Sequence, residues 1–192
     1  MPKGKVTFIV EGELELAFLK NQCGSKAIFR KVPSNGDDVS MECLTKMVAA
    51  IVGMGPEPEV LFVILDREHR ALTALQLEQD LERRIAALSL SSKLSVHFAD
   101  KMVENWIIAD DEAMIKSGLQ IEVGKLGTEG CGGKSKLKEA FKKKRLSYSE
   151  RIDGPKLLNA CSAKKLAANS PSFKRLADAL KANSIECHWA AQ

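Results

Sequence analysis

Residues Val60–Leu65 (VLFVIL) are six consecutive apolar side chains between Glu59 and Asp66. A run this short and this uniformly apolar reads as a strand buried on both faces. Such a strand needs a covering layer on each side, and the neighbouring chain offers helices for it. Lys5–Val10 reads as a strand. Glu13–Asn21 reads as a helix with apolar residues at 14, 16, 17, 18 and 19, and Ala27–Val32 as a second strand. Pro33, Asn35 and Gly36 make a turn, after which Asp37 or Asp38 is expected to cap a helix running to about Val52. A helix over Thr73–Leu88 is expected to bury Leu75, Leu81, Ile85 and Leu88. Leu94–Phe98 follows as a strand and Val103–Ile115 as one helix. Strands alternating with helices imply crossover connections and a parallel sheet. The expected fold class is α/β, with a mostly parallel, Rossmann-like sheet flanked by helices.

The last third has a different texture. Gly118–Gly133 is glycine-rich and reads as irregular. Helices are expected over Ser135–Leu146, Gly154–Cys161, Ala163–Ala168 and Ser172–Ala182. The expected organisation is a core over residues 1–117 and a basic loop with a helical appendage over 118–192, packed together as one unit. At 192 residues, 28% charged and 45% hydrophobic, the composition is globular, which excludes disordered, collagenous and disulfide-scaffold classes. Five widely spaced cysteines without a Cys-x-x-Cys pair argue against zinc, and a reducing cytoplasm is the expected compartment. The apolar run before Glu11 is too short for a signal peptide core, and no window is long enough to span a membrane.

Ligands of open parallel sheets bind outside the carboxyl ends of the strands. Here the first strand runs into Glu11-Gly12 and the apolar strand into Asp66-Arg67-Glu68. Glu15, four residues after Glu11, falls in the first turn of the following helix and can point back to the same edge. Converging carboxylates repel unless a cation neutralises them. Mg²⁺ or Mn²⁺ suits hard oxygen donors and supports phosphodiester cleavage. A single acid at a strand end usually faces solvent or caps a helix; two such ends with four acids are less common.

These segments resemble the TOPRIM domain of topoisomerases, primases and OLD-family nucleases, through FIVEGELELAFL and FVILDRE. The spacing of Glu11 and Glu15 resembles the OLD and RloB-like branch. VENWIIADDEAM is similar to the Glu-x-Trp stretch of small bacterial TOPRIM-like proteins of unknown function, as is the tail YSERIDGPKLL with NSPSFKRLADAL. The resemblance spans most of the chain. It implies a TOPRIM fold and a metal-dependent nuclease in which Glu11, Asp66 and Glu68 hold Mg²⁺ or Mn²⁺, and Glu15 with Glu104 completes a second metal position or orients water. The usual Asp-x-Asp motif has glutamate as its second acid here, Glu68, which is one methylene longer. Glu104 could equally be an ordinary helix acid. The resemblance also implies a separate ABC-type ATPase partner in anti-phage defence.

Lys134–Arg145 (KSKLKEAFKKKR) holds seven bases, Lys134, Lys136, Lys138, Lys142, Lys143, Lys144 and Arg145, against one acid, Glu139. On a helix they suit a nucleic-acid backbone, DNA or RNA including tRNA; the alternative is a solvated surface. GTEGCGGKS fails as a P-loop, because the position five before Gly133 is Thr128. Trp106 reads as a core anchor, Trp189 as a docking contact, and His69 as a surface residue. Arg67 and Arg70 either touch phosphate or pair with the acids. Two further functions stay open: a non-catalytic nucleic-acid-binding or regulatory module with a degenerate site, and phosphoryl or nucleotidyl transfer at the same metal.

Overall fold

The structure is a computed structural model that describes residues 6–24, 27–32, 39–122 and 127–188. Four strands, β1 (Val6–Val10), β2 (Ala27–Lys31), β3 (Val60–Asp66) and β4 (Lys93–Ala99), form an all-parallel sheet in the order β2-β1-β3-β4. The helices among the described residues are α1 (Glu13–Cys23), α2 (Met41–Gly53), α3 (Ala74–Ala86), α4 (Val103–Ile107), α5 (Asp111–Lys116), α6 (Gly133–Lys143), α7 (Asp153–Ala160), α8 (Ala163–Asn169) and α9 (Pro171–Ala182). The fold is α/β with a Rossmann-like parallel sheet.

The apolar run in β3 is explained by its two neighbours. Leu61, Val63 and Leu65 face one layer with Leu44 and Val48 of α2 and Leu77, Leu81 and Ile85 of α3. Phe62 and Ile64 face the other, with Leu14 and Phe18 of α1, Trp106 of α4 and Phe173 of α9. Phe8 of β1 stacks on Phe62 across the register at 5.3 Å. Leu137, Leu158, Leu166 and Leu176 of the later helices belong to this second cluster too.

The free edge of β4 is covered by side chains. Glu82 accepts from the Val96 amide at 3.1 Å and Glu78 from the Phe98 amide at 3.0 Å. Arg175 of α9 holds Glu78 with two bonds, at 2.8 and 2.9 Å. Donors that would template pairing with another chain are thereby used internally.

Several local expectations need correction. Leu75 is 49% exposed and Leu88 is also exposed. The Thr73–Gln76 capping box sets the phase of α3, so its buried row is Ala74, Leu77, Glu78, Leu81 and Ile85. The cap of α2 is Ser40, accepting from the Cys43 amide at 3.2 Å; Asp37 and Asp38 lie outside the described residues, as does Trp189. The single helix expected over Val103–Ile115 is two, because Asp110 starts a new one. Its carboxylate accepts from the Ala113 amide at 3.0 Å and the Ser162 amide at 2.8 Å. Two of the five cysteines are joined: a Cys23–Cys187 disulfide ties the end of α1 to the chain after α9. Among the described residues no helix is long and apolar enough to cross a membrane.

Candidate metal and phosphate cleft

The strand order creates the site. From β1 the chain crosses to β2 on one side, then returns past β1 to β3 on the other. The reversal leaves a crevice between the carboxyl ends of β1 and β3, where open α/β sheets bind ligands. Glu11 leaves β1 there and Asp66 ends β3. A Glu11 carboxylate oxygen accepts from the Asp66 amide at 3.2 Å. Asp66 in turn accepts from the Val103 amide at 3.0 Å and so draws the start of α4 to the same point.

Two more carboxylates arrive on helices. Glu15, in the first turn of α1, folds back over Gly12, and a Cβ at Gly12 would collide with it. Glu104 stands in the first turn of α4. Each is only 4% exposed, and Glu15 Oε2 and Glu104 Oε1 are buried without a hydrogen-bond partner. Glu68 takes a left-handed backbone (φ 51°), its amide donating to the Lys101 carbonyl at 2.8 Å, and this tight turn brings it to the cleft wall. All five sequence-selected acids thus line one cleft of about 520 Å³.

Sequence reasoning missed Glu150, which enters from the loop before α7 and pairs with Lys134 of α6. Nothing in its local sequence marks it, since it lies far along the chain from Glu11. Tyr148, with Phe141 the aromatic side chain that the sequence offers for stacking beside the basic run, instead packs edge-on against Phe141 at 5.4 Å, and its buried hydroxyl has no hydrogen-bond partner. Burial, then the charges of Glu104, Glu11 and Glu150, push Glu15 up to about 8. Burial and the charges of Glu15, Glu104 and Glu11 hold Asp66 well above the usual carboxylate range. Burial and then Glu150 raise Glu104, while Lys134 and Lys138 oppose the rise. Uncompensated negative charge in a buried crevice is a costly arrangement that marks functional sites.

The donor set fits a hard divalent cation, since buried carboxylate oxygens with no internal partner are the groups such an ion satisfies. In the arrangement seen, no group of three or more His, Cys, Asp or Glu among the described residues has the spacing to hold a metal ion.

The other selected residues divide. Lys134 lines the cleft. Lys136 donates to the Glu122 carbonyl at 2.6 Å, and Lys143 pairs with Glu139 at 3.3 Å. Lys138, Lys142, Lys144 and Arg145 are exposed. Arg67 pairs with Asp100 at 2.7 Å, and Arg70 donates to the Asp66 and Val39 carbonyls, so both brace the loop after β3. His69 is exposed. Trp106 is a core anchor, donating to Ser172 Oγ at 2.9 Å and meeting Phe173 edge-on.

The GTEGCGGKS loop is held by Asn105, a fully buried residue of α4. Its Nδ2 donates to the Thr128 and Cys131 carbonyls, at 2.5 and 2.9 Å, and its Oδ1 accepts from the Gly133 amide at 3.3 Å. Gly133 is where α6 touches α4. A Cβ there would lie 2.7 Å from the Asn105 amide nitrogen and from the Glu104 carbonyl carbon. Backbone cannot yield as a side-chain tip can, so Gly133→Ala is expected to cost about 1–3 kcal/mol in urea unfolding. Gly132→Ala, whose Cβ meets only Ser135 at 3.6 Å, should stay within about 0.5 kcal/mol of the parent.

Compared with protein-family models, with curated proteins and with solved structures, the chain matches none of them.

Proposed function

We propose that the cleft is a divalent-metal-dependent phosphodiesterase site acting on nucleic acid. The observation that carries this reading is the convergence of Glu11, Glu15, Asp66 and Glu104 at the topological switch point, with two buried carboxylate oxygens left unpartnered. Glu11, Asp66 and Glu68 would hold Mg²⁺ or Mn²⁺; Glu15 and Glu104 would complete a second position or orient water. A bound cation would supply phosphate binding, water activation and leaving-oxygen stabilisation.

The chain's own residues do the positioning. The Asp66 amide fixes the Glu11 carboxylate, and the Val103 amide fixes that of Asp66, so both keep their orientation before any ligand arrives. Lys134, held beside Glu150, offers a charge-assisted donor to a phosphate oxygen. The TOPRIM resemblance supports this reading and adds a separate ABC-type ATPase partner in anti-phage defence.

The test incubates the full chain with plasmid, single-stranded DNA and RNA in Mg²⁺ or Mn²⁺. Cleavage is expected with metal and absent with chelator, and Glu11→Gln and Asp66→Asn should fall to background. Cleavage that survives both substitutions contradicts the proposal. The longer Glu68 side chain favours, as a second reading, a binding module with a degenerate site; calorimetry would then show nucleic-acid binding without metal-dependent hydrolysis.

A further inference from the structure

The two edges of the sheet are unlike. Glu82 and Glu78 occupy the amides of β4, and Arg175 holds Glu78 in place. The outer side of β2 pairs with no strand among the described residues. The direction of its main-chain groups follows from one bond. The Val32 amide, just past β2, donates inwards to the Val10 carbonyl at 2.9 Å. Main-chain groups alternate between the two sides of a strand, so those of Ala27, Phe29 and Lys31 point out. The Phe29 carbonyl accepts there, at 3.2 Å, from the exposed Arg30 side chain.

A row of stacked rings ends at the same edge. His97, Phe62, Phe8 and Phe29 stack in turn across the strands, with centroids 6.0, 5.3 and 5.3 Å apart. The first three are buried, whereas Phe29, the last, is only half-buried. On the other face Ile28 lines a cavity of about 50 Å³ with Ile51, Val52 and Met54, and Met54 is 78% exposed. Both faces of β2 thus carry apolar side chains up to an open edge.

We propose that β2 pairs with β2 of a second copy of this chain, antiparallel, across a two-fold axis at Phe29. Phe29 of one copy then faces Phe29 of the other, Ile28 faces Arg30, and Ala27 faces Lys31, so every residue of the strand is matched. Ala27, Phe29 and Lys31 carry the outward groups, so their pairs exchange about six main-chain hydrogen bonds. The row of rings continues from Phe29 into its copy. No like charges stand directly opposite in this register. Centring on Arg30 sets that base against itself, and centring on Ile28 leaves Arg30 and Lys31 beyond the partner strand. A two-fold uses each open edge once and the β4 edge is closed, so assembly stops at the dimer. The carboxyl ends of the strands point opposite ways in the two copies, which puts the two acid clefts at opposite ends of the joined sheet.

The experiment is sedimentation equilibrium of the full chain from about 1 to about 500 μM, with circular dichroism as the check on folding. The mass is expected to rise from 21.0 kDa to twice that value, with a dissociation constant of about 1–100 μM. Ala27→Pro removes an outward amide and is tolerated at an open edge. It should keep the spectrum of the parent and dimerise about 10-fold more weakly or worse. Ile28→Lys places a second base opposite Arg30 at both symmetry-related positions and should weaken dimerisation about 10–100-fold. Adding Arg30→Glu to Ile28→Lys converts both pairs to opposite charges and should bring the affinity back to within about threefold of the parent. A mass that stays at one chain over the whole range overturns the proposal, as does growth beyond the dimer. So do an Ala27→Pro variant that dimerises like the parent and a double variant as weak as Ile28→Lys alone. If Ile28→Lys alters the spectrum, the parent and Ala27→Pro decide the outcome.

Discussion

Glu15→Gln is expected to make the protein more stable and less active at once. Glu15 is buried, and the charges of Glu104, Glu11 and Glu150 add to the burial in raising its carboxyl to about 8 from an ordinary 4.5. Between these values the folded chain holds a proton that the unfolded chain has released. That contribution to stability is complete below pH 4.5 and is lost as the pH rises through 8, at up to about 1.4 kcal/mol per pH unit. An uncharged amide of the same shape escapes the loss. In metal-free buffer at pH 8 the variant should gain about 1–3 kcal/mol, or roughly 3–10 °C in melting temperature for a chain of this size. The gain should shrink towards zero near pH 4.5. Metal-dependent cleavage should fall by about 100-fold or more, since Gln has no charge to offer a cation or a water. A melt showing Glu15→Gln less stable than the parent at pH 8 would mean that Glu15 is an ordinary structural acid.

Loss of the Cys23–Cys187 bond is expected to have the largest effect on stability. The two residues are 164 apart in sequence, so the bond closes most of the chain into one loop. In the chain-entropy account a loop of this size is worth about 5 kcal/mol, and measured values run somewhat lower. The Cys23→Ser, Cys187→Ser double variant should therefore unfold about 3–5 kcal/mol more easily. A reductant should lower the melting temperature of the parent towards that of the variant. Cys43→Ser, at a free and partly exposed thiol, should change neither. Equal melts with and without reductant would show that the two sulfurs are not bonded in solution.

Much of the architecture was legible in the chain because it depends on side-chain period. VLFVIL had to be buried on both faces, and it is, with Leu61, Val63 and Leu65 on one core and Phe62 and Ile64 on the other. Details set by one hydrogen bond were less legible. Asp110 splits a helix because its carboxylate prefers the amides of Ala113 and Ser162, and the capping box at Thr73 turns Leu75 outwards. A hydrophobicity pattern does not encode which donor a given carboxylate will find.

The candidate site divides along the same line. Glu11, Asp66 and Glu68 were visible because each lies at or just after the end of a strand, where strand direction alone sends side chains to one edge, and Glu15 because it falls in the first turn of the helix that follows β1. Sequence by itself thus determined an α/β chain of alternating strands and helices with acids at the strand ends and a basic run at 134–145. Only the tertiary structure decided that β1 and β3 are neighbours, that Glu150 joins the acids from a distant loop, and that Cys23 meets Cys187. The physical reason is range: period and capping act over a few residues, whereas neighbour choice in a sheet and contacts between distant loops depend on how whole elements pack to bury their faces.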